Sequence, residues 1–386
     1  MAFKKKRRKE AQLKEFVAEQ KKLSTADKIK ELEQELAKTK YNKRTQMHIG
    51  LVKAKIAKLR EKQETSSSKG KKGAGYTVRK TGDGTVILVG FPSVGKSTLQ
   101  NALTGIDSPI AAYEFTTLDV IPGILEHKYA KIQILDVPGI VHGAAAGTGR
   151  GKEVLAVMRN ADLAVIIVDA TRPEHFDAIL KEIRDAKLRL DQLPPDVKIT
   201  KTGKGGIRIG TTVKLTKMTK DMVAAISKEF GINNADIVIR QDIDEDQFID
   251  VIEANRKYLP SVVILNKIDL IPEEKLDQLR EKIKPDLCIS AHKKELIPIL
   301  KNLVFERLSL IRIFLKEIGK PPDMEVPLIM FKNCTVRDVC EKLHKDFVSK
   351  FKFARIWGKS AKFGGQKILK TEHVLQDEDI LEIHLR

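Results

Sequence analysis

The chain has 386 residues, 71 of them Lys or Arg and 52 Asp or Glu, for a formal net charge of +19. That length excludes a small stapled scaffold, and Cys288, Cys334 and Cys340 are too few and too unevenly spaced for a disulfide framework or a four-ligand zinc site. No apolar run approaches the ~18 residues of a membrane span, and the basic start Lys4 to Lys9 has no apolar segment behind it, so a soluble, cytoplasmic protein with reduced thiols is expected.

The charge is unevenly placed. Residues 1–80 hold 25 Lys and Arg against 9 Asp and Glu, residues 311–386 hold 15 against 11, and the stretch between is nearly neutral. An excess at one end points to a polyanionic partner. Structured RNA suits it better than single strands, because Phe3, Phe16, Tyr41 and Tyr76 are the only aromatics there to stack on bases.

From Leu13 to about Glu61, Ile29, Leu32 and Leu36 and then Ile49, Val52, Ile56 and Leu59 recur at three- and four-residue steps. That spacing predicts two amphipathic helices, arranged as a hairpin. The Ser-, Gly- and Lys-rich run 65–75 reads as a linker, so 1–80 is a basic helical region. Short apolar runs at 85–89, 131–135 and 163–168, each followed by a turn, predict an α/β fold around a parallel sheet. A parallel crossover needs only about a dozen residues, yet the next comparable strand starts at Val262. An α+β insertion, 173–245, is therefore expected between two parts of one domain, 81–172 and 246–310. It would hold a helix near 176–190, β-like segments between Val197 and Leu215, a helix near 221–230 and a strand at 237–239. The last unit, 311–386, would carry strands near 326–331 and 380–385 around a helix 336–347.

Gly90-Phe91-Pro92-Ser93-Val94-Gly95-Lys96-Ser97 is a phosphate-binding loop, placed after a strand and before a helix as its mechanism needs. Its glycines let backbone N–H groups wrap phosphates, and the helix start, through Thr98, favours their charge. Lys96 would reach the β and γ oxygens and Ser97 would ligate magnesium. In Asp136-Val137-Pro138-Gly139 the Asp stands where phosphate-loop enzymes hold magnesium, and the Gly139 N–H can sense a γ-phosphate. Thr117 is the choice to complete the magnesium shell, with Thr116 its competitor. Asn266-Lys267-Ile268-Asp269 follows another strand end, where open parallel sheets present ligand-binding loops. The Asp269 carboxylate can accept from both N1–H and the 2-amino group of guanine, donors that adenine lacks. Asn266 would tether the loops, Lys267 would lie along the base, and Ser290-Ala291 would contact its edge. GTP with Mg2+ is the expected ligand, and Lys96, Thr117 and Gly139 are the expected catalytic set.

These five motifs in this order, with the strings FTTLD and DVPGIVHGA and the interrupted domain, resemble the developmentally regulated GTP-binding (DRG) branch of the Obg-related GTPases over essentially the whole chain. The resemblance implies a P-loop GTPase domain, an insertion similar to domain 2 of ribosomal protein S5, and a C-terminal β-grasp TGS domain. It also implies links to ribosomes and to small regulatory partner proteins.

Two departures bear on mechanism. Ile140 stands where Ras-like enzymes place the glutamine that orients water, so intrinsic hydrolysis should be slow. Some relatives without that glutamine use K+ held by an asparagine at the position of Ser93, which leaves potassium activation open. The glycine-rich run 143–151, with Arg150, reads as a switch that orders around the γ-phosphate; His142 is taken as structural. The main reading is a slow GTP-hydrolysing switch, monomeric by default, that acts with ribosomes or structured RNA and not with membranes. The alternative is an RNA-binding scaffold that nucleotide merely stabilises, and an ATP-dependent enzyme is disfavoured by Asp269. Around Trp357, Lys350, Lys352, Arg355, Lys359 and Lys362 interleave with Phe351 and Phe353, either as a binding surface or as the edge of a core.

Overall fold

A computed structural model describes residues 24–42, 44–68, 82–105, 121–136, 158–294 and 296–386. The chain divides into two compact units, Met1–Ala74 with Leu193–Arg256, and Gly75–Gln192 with Lys257–Arg386.

The second unit is built on a six-stranded sheet in the order Leu287–Cys288, Ser261–Asn266, Leu163–Asp169, Gly84–Val89, Ala130–Asp136, Ile121–His127. Its neighbours are parallel except the last pair. The sheet is therefore mixed rather than wholly parallel. Lys128 and Tyr129, both left-handed at φ 49° and 69°, join that pair in a two-residue turn, a connection too short for a crossover. Gly84–Val89 and Leu163–Asp169 are buried at every position, as central strands covered on both faces must be. One face packs Ile87, Val89 and Ile166 against Ile179 and Ile183 of helix His175–Asp185 and Leu276 and Leu279 of helix Glu273–Ile283. The other packs Leu88 and Val165 against Leu99 and Leu103 of helix Lys96–Thr104 and Leu300 and Val304 of helix Ile297–Arg307. Helix His175–Asp185, expected in the insertion, thus belongs to this core. The chain leaves and re-enters the unit beside a short parallel ladder, Leu188–Leu190 on Lys257–Leu259.

The same unit carries a five-stranded C-terminal sheet in the order Leu328–Phe331, Leu310–Leu315, Asp379–Leu385, Phe351–Trp357, Gln366–Ile368. Helix Val336–Leu343, started by a capping box between Thr335 and Asp338, buries Val336, Val339 and Cys340 against one face. It stops before the expected residue 347 because His344 is extended. Leu310 and Ile329 also enter the core beneath the six-stranded sheet, so the two sheets share packing. Trp357 is half-buried on the strand Phe351–Trp357, with Lys316 Nζ 5.0 Å from its ring centroid and Gly365 packed so close that a Cβ there would lie 3.3 Å from the indole nitrogen. Phe353 is likewise stacked on His384 at 4.1 Å. Both aromatics are part of the sheet's own packing.

In the first unit, helices Thr25–Lys38 and Gln46–Ser68 pair through Ile29, Val52 and Ile56, supported by Leu32, Leu36 and Leu59, which is the expected hairpin. Ser24 caps the first helix by accepting from the Asp27 N–H. A three-stranded sheet, Val197–Lys201, Ala235–Ile239, Ile207–Thr211, lies with helices Lys220–Glu229 and Glu245–Glu253. The second hairpin helix has another buried face: Ala54 joins Met222, Val223, Ile226 and Phe248. A Cβ on Gly50 would lie 3.3 Å from Met222 Cε. The hairpin is therefore not a free arm; small residues let it approach the helices of the 193–256 segment closely. Among the described residues no helix is long and apolar enough to cross a membrane.

Candidate nucleotide-binding site

Strand Gly84–Val89 delivers the loop 90–95 at the carboxyl end of the sheet, where open α/β sheets bind ligands. Two glycines are required by space. A Cβ on Gly90 would lie 2.7 Å from the Ile167 carbonyl oxygen, and one on Gly95, whose φ is +97°, would lie 2.5 Å from Asn266 Nδ2. Val94 is buried, Pro92, Ser93, Ser97 and Thr98 are exposed, and Phe91 stacks on His175 at 3.9 Å. Lys96 Nζ donates to the Gly90 and Phe91 carbonyls at 3.0 Å each. Burial pushes its ammonium below the usual lysine range, against the pull of Asp136. A cation held over a loop by neutral carbonyls gains charge-assisted partners when phosphate oxygens arrive.

Ser97 Oγ donates to Asp136 Oδ2 at 2.7 Å. The other carboxylate oxygen, Asp136 Oδ1, is buried without a hydrogen-bond partner among the described residues. A hydroxyl beside a carboxylate with a spare buried oxygen fits a hard divalent cation that takes oxygen ligands. The expected partners Thr117 and Gly139, together with Thr116, Ile140, His142 and Arg150, lie outside the described residues.

The base loop is joined to the phosphate loop by side chains. Asn266, 2% exposed, donates through Nδ2 to the Val94 carbonyl at 2.8 Å and accepts through Oδ1 from the Ala291 N–H at 3.0 Å. One amide thus ties three loops, including the buried pair Ser290 and Ala291. Lys267 Nζ donates to the Ser93 carbonyl at 2.7 Å and to Asp169 Oδ2 at 2.6 Å. Asp269 is exposed, and the hydrogen bond from Ser290 holds its carboxyl below the usual range, so it is an ionised acceptor at neutral pH. Sequence reasoning missed Asp169, Thr171 and His175. The abrupt end of the apolar run in Asp169 was the one sign available.

Residues 85–201 match the family model described as a 50S ribosome-binding GTPase, residues 204–310 match the C-terminal region of that domain, and residues 311–385 match the TGS domain. The chain is 51% identical over 364 residues to an uncharacterized GTP-binding protein of Methanocaldococcus jannaschii, covering 93% of each. It is 46% identical over 362 residues to developmentally-regulated G-protein 3 of Arabidopsis thaliana, covering 92% of this chain and 97% of that protein. It is also 43% identical over 366 residues to ribosome-interacting GTPase 1 of Saccharomyces cerevisiae, covering 93% and 99%. With a phosphate loop, a base loop locked to it by Asn266, and a TGS domain behind them, the chain belongs to the developmentally regulated GTP-binding (DRG) family of P-loop GTPases.

Proposed function

We propose that the protein binds GTP with magnesium and hydrolyses it slowly, as a cytoplasmic switch whose nucleotide state governs engagement of the ribosome or a related structured RNA. The observation that carries the nucleotide part is the Asn266 bridge, which holds the guanine-reading loop at a fixed distance from the phosphate loop. Asp269, kept ionised beside Ser290, supplies the guanine preference.

In the proposed reaction, water attacks the γ-phosphorus, the bond to the β–γ bridging oxygen breaks, and GDP leaves with inorganic phosphate, which takes up the water proton. Lys96 and the N–H groups of the loop 90–97 stabilise the charge on the phosphoryl oxygens. Ser97 and Asp136, with Thr117 as the proposed third group, would hold magnesium, which would supply further neutralisation of phosphate charge. Ile140 offers no group to orient water, hence the slow intrinsic rate. The ribosome reading is supported by the basic excess in residues 1–80 and by the name of the yeast relative.

GTP turnover measured in potassium and in sodium buffer, with and without ribosomes from the source organism, tests this reading. Slow Mg2+-dependent turnover that ribosomes stimulate is expected, and a potassium dependence would place Ser93 in a monovalent-cation site. Ribosome binding that is indifferent to GTP, GDP or no nucleotide would instead support the scaffold reading. Asp269→Asn is expected to lower the GTP-over-ATP preference on the order of 100-fold in competition binding.

A further inference from the structure

Lys267 is held in place by a carboxylate that is not part of any of the five nucleotide motifs. Parallel register sets Asp169, the last residue of strand Leu163–Asp169, beside Asn266, and the Ala170 N–H donates to the Asn266 carbonyl at 2.9 Å. The Asp169 side chain is 7% exposed and its ion partner Lys267 is 30% exposed. One carboxylate oxygen, Oδ2, accepts from Lys267 Nζ at 2.6 Å. The other, Oδ1, accepts from the Thr171 N–H at 2.9 Å and from the Thr171 hydroxyl at 2.7 Å. Burial alone would raise this carboxyl, but Lys267 and Thr171 outweigh it and hold it below the usual range.

The position of Lys267 makes such a clamp necessary. Its backbone is left-handed, at φ 64°, a conformation that is costly for a side-chain-bearing residue. Its flexible four-carbon stem has rotamer entropy to lose before the ammonium can sit on the Ser93 carbonyl. A buried, doubly anchored anion offsets both costs before any nucleotide arrives, and it also fixes Ser93, itself left-handed in the phosphate loop.

We infer that Asp169, oriented by Thr171, is a positioning residue for the nucleotide: it holds Lys267 flat against the phosphate loop and so slows nucleotide release, without itself reading the base. This rests on the nucleotide-site reading above. Base identity is read at Asp269, inside the 3-10 turn Ile268–Leu270 that Lys267 caps.

The test is the dissociation rate of a fluorescent GDP analogue from the full chain, with competition by GTP, ITP and ATP measured in parallel. Asp169→Asn is expected to release nucleotide about ten-fold faster, equivalent to about 1.4 kcal/mol, with the ratios among GTP, ITP and ATP unchanged. Thr171→Val is expected to accelerate release by a smaller factor, and Thr171→Ser, which keeps the hydroxyl, to restore slow release. In a Lys267→Ala background Asp169→Asn should add nothing further, a coupling that general destabilisation of the strand end would not produce. Equal release rates for Asp169→Asn and the unaltered protein, or full additivity with Lys267→Ala, would overturn the inference. Failure of the unaltered protein to bind GDP at all would overturn the nucleotide-site reading instead.

Discussion

The two sheets of the nucleotide-binding unit treat charge in opposite ways. At the C-terminal sheet the charged groups close on one another. Arg312 holds Asp377 and Glu378 at 2.8 Å each, and the Glu382 side chain, 3% exposed, lies between Lys316 and His384. Lys316 and Lys367 in turn cover Trp357 and Phe353. At the six-stranded sheet a similar set of groups is left open: Asp136 Oδ1 has no partner among the described residues, Lys96 rests on neutral carbonyls, and Asp269 stands exposed. Buried polar groups satisfied within the chain contribute to the fold, whereas groups pinned in place yet incompletely paired are prepared for a ligand.

If that contrast is right, the same class of substitution should act on different observables in the two places. Lys96→Ala should weaken GTP and GDP binding on the order of 100-fold by calorimetry while leaving the melting temperature of nucleotide-free protein nearly unchanged. Undiminished affinity would refute the assignment of the open groups to nucleotide. Lys316→Met should do the reverse, since it takes the lysine away from a buried carboxylate and leaves it only His384: a loss of about 3 kcal/mol in urea unfolding, with nucleotide affinity intact.

A smaller effect should appear with pH. Burial would raise the Glu382 carboxyl, but Lys316 and His384 more than compensate and hold it below the usual range. A carboxyl whose folded value lies below its unfolded value of about 4.3 contributes fully above that value and loses its contribution as pH falls through the folded value. Unfolding free energy measured from pH 6 down to pH 3 should therefore decline, and Glu382→Gln should flatten the decline; an unchanged slope would show that the closed network is not what titrates. Least of all should come from Arg337→Ala, which removes an exposed i,i+4 pair with Glu341 and should leave the urea midpoint unchanged within error.

The nucleotide motifs were legible in the chain because phosphate and guanine chemistry demands particular residue types at contiguous positions. Residues 90–97 and 266–269 are each contiguous in the chain, and the structure sets Ser97 on Asp136 and ties Asn266 to Val94 and Ala291, the contacts on which the proposed nucleotide roles rest. Asp169 and Thr171 were not legible. Their role comes from strand register that pairs Asp169 with Asn266 across the sheet, and no local pattern reports that. The antiparallel edge strand Ile121–His127 was missed because Lys128-Tyr129 lacks the Asn or Gly that usually marks a two-residue turn.

Hydrophobic spacing also foretold the helical hairpin, since Ile29, Val52 and Ile56 form an apolar stripe wide enough to read. It did not foretell the second burial face of helix Gln46–Ser68, because Gly50 and Ala54 carry almost no apolar surface and work by allowing close approach. The amino-acid order by itself thus determined the phosphate loop, the base loop and which faces are apolar, all properties of short windows. Only the tertiary structure decided that helix His175–Asp185 packs with the nucleotide sheet, that the hairpin packs with the 193–256 segment, and that Asp169 anchors Lys267. Each of those depends on which distant neighbour a face or a strand end meets, and contact across the chain, not periodicity along it, sets that choice.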